Sequence, residues 1–112
     1  MKMMMIGLDE ERIDADGYEP KSLWDWVDEV FASRKWTKEP QPDGTVLYVG
    51  DTAKEDNFDD AFYIQHILSC DENFGKYCSK WIGFDNDDDE SLPFTDSDVL
   101  AATRESGNPL FQ

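Results

Sequence analysis

Residues 20–34, PKSLWDWVDEVFASR, carry the clearest secondary-structure signal in the sequence. Their apolar side chains recur at steps of three and four residues, which is typical of a helix that buries one face. Pro20 suits the first turn of such a helix, and Ser22 with Asp25 resembles a capping pair. The apolar positions are Leu23, Val27, Val30 and Phe31. The stretch therefore predicts a helix whose other side is acidic.

The period changes after this helix, which indicates a β-hairpin. Residues 45–49 are β-branched or aromatic, and the prolines and glycine of residues 40–44 are typical of a turn. Residues 36–39 form the plausible returning strand. Because a lone hairpin is only marginally stable, we expect it to pack on helices.

The rest of the chain gives weaker signals. Residues 1–19 read as a strand or loose arm and then an acidic loop, and residues 58–68 fit either a helix or a strand. We prefer the helix because acidic side chains precede it. Further helices are expected from a capping pair at Ser69 and Glu72 through Ile82, and from Thr95 through Ala102.

Together these signals predict a single compact α+β domain over residues 1–112 that is mainly helical. Three to four helices would pack with one β-hairpin, and residues 1–19 would form a loose arm or an edge strand. The hydrophobic share of 39% suffices for a core, and the length allows one domain.

The charge is the most unusual feature of the composition. The chain has 26 Asp and Glu against 10 Lys and Arg, a formal net charge of −16. Such a surface repels nucleic-acid phosphates and anionic lipids, and it speeds encounter with basic proteins. We therefore expect a basic protein partner, and no direct nucleic-acid or membrane binding; the oligomeric state stays open.

Catalytic motifs are poorly represented. His66 is the single histidine, and the sequence contains neither a Gly-x-Ser-x-Gly elbow nor a phosphate-binding glycine loop. We expect no enzyme activity, no cofactor and no metal. One alternative is weak calcium binding, since the acids between Asp85 and Asp96 resemble an EF-hand loop between predicted helices. Glu90 stands where that loop requires glycine.

The absence of an apolar export segment favours a cytoplasmic protein. Cys70 and Cys78 lie eight positions apart, too far for a disulfide within one helix, so reduced thiols in the core are expected.

Clustered acids and one aromatic residue mark the expected partner-binding surface. Trp26 falls off the apolar stripe of its helix, as an aromatic contact residue would. The main acidic candidates are Asp85, Asp87, Asp88, Asp89 and Glu90. The second candidates are Asp59, Asp60, Asp25, Asp28 and Glu29.

These features fit two functions. The first is an inhibitory protein that neutralises a basic toxin, most plausibly a nuclease, by covering its nucleic-acid-binding or active-site surface. In size and charge the chain resembles bacterial immunity proteins of the barstar and colicin-immunity kind. The alternative is a phage-type DNA mimic that blocks a restriction, repair or CRISPR protein. The chain resembles such proteins in using 17 Asp against 9 Glu.

Overall fold

The protein folds around a five-stranded antiparallel sheet in the order β2-β3-β1-β4-β5. The computed structural model describes residues 1–50, 57–86, 89 and 91–112. The strands are β1 (Lys2–Leu8), β2 (Thr37–Pro40), β3 (Val46–Val49), β4 (Cys78–Asp85) and β5 (Thr95–Asp98). The helices are α1 (Glu10–Ala15), α2 (Pro20–Ala32), α3 (Asn57–Ser69), α4 (Glu72–Tyr77) and α5 (Val99–Glu105), followed by a short 3₁₀ helix (Pro109–Phe111).

The expectation of a mainly helical domain with one hairpin is wrong. Two hairpins, β2–β3 and β4–β5, flank β1, so the start of the chain is the central strand and not a loose arm or an edge. The expected acidic loop after β1 contains helix α1. The helix expected to run through Ile82 ends at Tyr77, and the chain continues as β4. Residues 95–98, expected to start a helix, form β5.

The capping pair expected at Ser22 and Asp25 does not form, because α2 begins after Glu19 without a side-chain cap and Ser22 lies within the helix. Three other local predictions are confirmed. Helix α2 begins at Pro20, the β2–β3 hairpin forms, and the segment that fitted both patterns is helical from Asn57 to Ser69.

The core lies between one face of the sheet and the helices. Met4 pairs with Tyr48 on one side and Gly83 on the other, and Ile6 pairs with Trp81. Apart from the half-buried Gly83, these residues are buried. The Tyr48 ring stacks on Phe31 of α2 with a centroid separation of 3.9 Å. We call this side of the sheet the core face.

The opposite side of the sheet, the outer face, is also apolar at its centre. Side chains alternate along a strand, and directly paired residues share a face. The register therefore places six half-buried apolar side chains on the outer face. They are Met3, Met5, Leu47, Val49, Ile82 and Phe84. None of the six is among the buried residues that form the hydrophobic core.

Several aspartates have local structural roles. The Asp9, Asp71 and Asp98 carboxylates each accept a hydrogen bond from a backbone N–H in the first turn of α1, α4 and α5, respectively. Aspartate is a favoured N-cap because its oxygen satisfies an otherwise unpaired donor. Some of the aspartates therefore stabilise the first turns of helices.

Candidate functional site

A groove opens between α1, the start of α2 and α4. Its volume is about 370 Å³. Its lining residues are Ile13, Tyr18, Glu19, Ser22, Leu23, Trp26, Asp71, Asn73 and Tyr77. Buried Ile13 and Tyr77 form its apolar floor, and half-buried Trp26 stands at its side.

Backbone contacts fix the walls of this groove. The N–H of Asp9 donates to the Tyr77 carbonyl at 2.8 Å, which joins the start of α1 to the end of α4. Gly17 has a φ of +86°, a left-handed conformation that favours glycine, and it ends α1. The chain then turns so that the Tyr18 N–H donates to the Ile13 carbonyl. Tyr18 projects from this turn with 64% of its surface exposed.

Side chains tie the same helices together. The Trp24 Nε1–H donates to Glu10 Oε1 at 2.9 Å and so connects α2 to α1. The Tyr77 hydroxyl donates to Asp16 Oδ2 at 2.7 Å, and Lys76 lies 3.3 Å from the same oxygen. The Tyr77 hydrogen bond, followed by the interaction with Lys76, lowers the pKa of Asp16. The groove walls are thus held by polar contacts as well as by packing.

The segments around the groove are strongly acidic. Residues 9–32 and 71–77 contain eleven acidic and three basic side chains. The bases are Arg12, Lys21 and Lys76. All three are already engaged, because Lys21 pairs with Asp25 at 2.7 Å, Lys76 pairs with Asp16, and Arg12 donates a hydrogen bond to the Lys76 carbonyl. Glu19 and Asp71 bring two carboxylates to the groove itself. The aromatic side chains of Tyr18 and Trp26 beside these carboxylates suit a lysine or arginine side chain.

The candidate residues predicted on α2 lie in different surroundings and do not form one surface. Trp26 lines the groove, and Glu29, three residues further on, follows it along the same side of the helix. Asp25 is exposed and paired with Lys21. Asp28 turns towards the sheet, where it accepts a hydrogen bond from Tyr48 at 2.6 Å and pairs with Lys38 at 2.8 Å. Asp28 therefore links α2 to the sheet.

The two acids at the start of α3 also differ. Asp59 is exposed. Asp60 is only 4% exposed and lies 3.9 Å from the Arg34 guanidinium. Burial leaves little of the Asp60 carboxylate for a partner protein.

The acidic run after β4 lies at the other end of that strand from the groove. An eight-residue strand spans about 25 Å, and β4 begins directly after Tyr77. Asp85 is half-buried and pairs with Lys2 at 2.7 Å. Asp89 is exposed, and it accepts hydrogen bonds from the N–H and hydroxyl of Ser91. Asp87, Asp88 and Glu90 lie outside the described residues.

The expected EF-hand context of this run is wrong. The segment connects two antiparallel strands, with Asp85 paired to Thr95 and Phe84 to Asp96, whereas an EF-hand loop connects two helices. Within the described part of the chain, no group of three or more His, Cys, Asp or Glu side chains could hold a metal ion.

The two cysteines have different environments. Cys78 is buried, and burial raises the pKa of its thiol to about 12, so its reactive thiolate is suppressed. Cys70 is exposed, contrary to the expectation of two core thiols, and its sulfur lies 3.9 Å from His66 Nε2. Neither thiol is in a disulfide.

Sequence reasoning did not identify Tyr18, Glu19 and Asp71 as site residues. Gly17 and Pro20 flank Tyr18, and this combination is typical of a turn at the surface. These flanking residues could have predicted that the Tyr18 side chain is exposed. The position of Asp71 beside the groove depends on the packing of α4 against α1.

A known protein family matches most of the chain. The family model described as RAG2, recombination activating protein 2, matches residues 1–105. The chain belongs to the RAG2 family. The match includes the groove and all five strands of the sheet, and it ends at the last residue of α5. No curated protein and no solved structure gives a significant match. None of the helices in the described ranges has the length and apolar character needed to cross a membrane.

Proposed function

We propose that this chain is an acidic binding protein that acts by covering the basic surface of another protein. The observation that carries the proposal is the groove, where Tyr18 and Trp26 stand beside the carboxylates of Glu19 and Asp71. A lysine or arginine side chain can place its charge between these carboxylates and its stem against the aromatic rings. The net charge of −16 would attract such a partner over long distances.

The inhibitory form of this function is an immunity protein or antitoxin in the cytoplasm. A nuclease must present lysine and arginine to its substrate, so an acidic protein that occupies that surface inhibits it without catalysing a reaction. The combination of acids with aromatic side chains in one groove favours a single cognate partner. A DNA mimic would instead rely on a regular stripe of free carboxylates, and Asp28, Asp60 and Asp85 are engaged in ion pairs.

Family membership favours a second candidate function. The family description names the activation of recombination. A chain that repels DNA itself could contribute to such a process by binding a basic recombination protein. The two candidates share the same contact chemistry and differ in the consequence of binding, which is inhibition of a nuclease in one case and stimulation of recombination in the other.

The groove is tested by binding kinetics after affinity capture has supplied a partner. The tagged chain is used to isolate bound proteins, and each purified candidate is measured over a series of NaCl concentrations. We expect the double variant Glu19→Gln/Asp71→Asn to slow association and to flatten its salt dependence, because it removes two negative charges from the groove. Asparagine at position 71 can still cap α4. Trp26→Ala should weaken binding by about 30-fold or more, as interface anchors do.

Asp59→Asn is the control for the loss of a single negative charge, because it removes one exposed carboxylate from α3. It should leave association nearly unchanged. Charge reversal at Asp87 and Asp89 tests the acidic run after β4 as the contact instead. If that reversal abolished binding while the groove variants bound normally, the groove would not be the contact surface. Capture of no basic protein would contradict the proposed function itself.

A further inference from the structure

The outer face of the sheet is more apolar than is usual for a sheet face in contact with solvent. In β1, Met4 and Ile6 are buried in the core, and Met3 and Met5 on the outer face are apolar as well. Antiparallel sheets with one solvated face usually alternate apolar and polar residues. A central strand that is apolar on both sides is typical of a sheet covered on both sides.

The apolar centre continues across three adjacent strands. The register places Val49 and Phe84 on either side of Met3, and Leu47 and Ile82 on either side of Met5. These six side chains form one contiguous patch. Large contiguous apolar patches that stay exposed are typical of binding surfaces in soluble proteins.

The rim of the patch is acidic at both edges. Glu39 stands next to Leu47 on the β2 edge, and Asp96 and Asp98 stand next to Phe84 and Ile82 on the β5 edge. All three acidic residues are exposed.

Two further charged side chains, Lys80 and Asp43, lie at one end of this face. Lys80 pairs with Gly7 at one end of the patch, and Asp43 in the β2–β3 turn lies close enough to interact with its charge. The Thr45 hydroxyl is the main cause of the lowered pKa of Asp43, and Lys80 adds to it. The face as a whole therefore combines an apolar centre with acidic edges.

The charges decide what can cover this face. A second copy of the chain would bring acidic edges against acidic edges in either orientation, with a formal charge of −16 on each molecule. A basic protein with an apolar patch surrounded by lysine or arginine would instead match both the centre and the rim. We propose that the outer face is a second docking surface for such a basic protein, centred on Met3, Met5 and Ile82. This inference rests on the proposed function only in taking the partner protein to be positively charged.

The four methionines provide a direct test. Met3 and Met5 report on the outer face and Met4 on the core face, so ¹³C-methyl NMR of methionine distinguishes the two sides of the sheet. The probe is a fourteen-residue peptide of alternating leucine and lysine. A peptide of alternating serine and lysine has the same charge and is the control.

We expect the leucine–lysine peptide to shift the Met3 and Met5 methyl signals and to protect them from a soluble nitroxide, while Met4 stays unchanged. Leu47→Thr and Ile82→Thr should each weaken peptide binding at least tenfold. Threonine is β-branched and favours a strand, so both variants keep the sheet. The wild-type titration itself does not depend on whether these variants fold. Lysine binding in the groove would leave the Met3 and Met5 methyl signals unchanged, which separates this face from the groove.

Three results would overturn the inference. Equal shifts of the Met3 and Met5 methyl signals by the serine–lysine peptide would show that this face recognises charge alone. Unchanged Met3 and Met5 signals at saturating peptide would place binding elsewhere. A dimer in 0.5 M NaCl, seen by sedimentation with Met3 and Met5 protected, would assign the face to a second copy. Loss of partner binding in Trp26→Ala alone would concern the proposed function and leave this face untouched.

Discussion

Gly75 stands where α4 meets the carbonyl of Leu110, and the space allows no side chain. A Cβ built at this position would lie 2.3 Å from the Leu110 oxygen and 2.9 Å from its carbon, both backbone atoms. Alanine normally stabilises a helix relative to glycine by about 1 kcal/mol. We expect Gly75→Ala to lower the free energy of unfolding by about 1–3 kcal/mol, because overpacking outweighs helix propensity.

Urea denaturation monitored by circular dichroism checks the Gly75 prediction. Asn73→Ala, at an exposed position of the same short helix, is the control and should change stability little. A Gly75→Ala variant as stable as the wild type would mean that the 3₁₀ helix at residues 109–111 shifts freely away from α4.

The Asp16–Tyr77 hydrogen bond joins the end of α1 to the end of α4. This bond lowers the pKa of Asp16 below its ordinary 3.8 in the folded protein. A carboxyl group with a lowered pKa stabilises the fold above pH 3.8, and this contribution is lost as the pH falls through the lowered value. We expect Tyr77→Phe to destabilise the protein at pH 6 and the difference from wild type to shrink below pH 3.8.

Thermal unfolding between pH 2.5 and 6.5 measures this dependence. Tyr18→Phe serves as the matched control because the Tyr18 side chain is largely exposed. Its difference from wild type should be small and should not vary with pH. A Tyr77→Phe difference that stayed constant across the range would show that the lost hydroxyl acts independently of Asp16 ionisation.

The excess of negative charge on this protein opposes its compact folded state. The chain has 16 more acidic than basic side chains, and the described ion pairs involve only some of them. Salt screens repulsion between exposed charges beyond about 8–10 Å. We expect the Tm to rise by several degrees between 10 and 300 mM NaCl, since about 1 kcal/mol corresponds to about 4–8 °C in a small domain.

The salt prediction is measured by differential scanning calorimetry. Sucrose at matched osmolality separates screening from solute exclusion. A Tm that falls with NaCl would indicate that the ion pairs outweigh the repulsion in the folded protein.

Local chemistry determined some elements from the sequence alone. Helix α2 forms where a 3.6-residue apolar period follows Pro20, and the β2–β3 hairpin forms around the turn at Gly44. The net charge likewise depends on composition alone and predicts the sign of the proposed partner's charge. These features involve residues close in the chain, or no geometry at all.

Tertiary structure decided the features that join distant residues. The aromatic spacing from Phe74 to Ile82 fits a helix, yet residues 78–85 pair with β1 on one edge and with β5 on the other, and Trp81 is buried. The same pairing makes β1 central, creates the outer face and separates the groove from the acidic run after β4. Which carboxylates are free also depends on packing, as the buried Asp60 and the paired Asp28 show. The sequence specifies periodicity and charge, but strand pairing and burial depend on contacts between residues far apart in the chain.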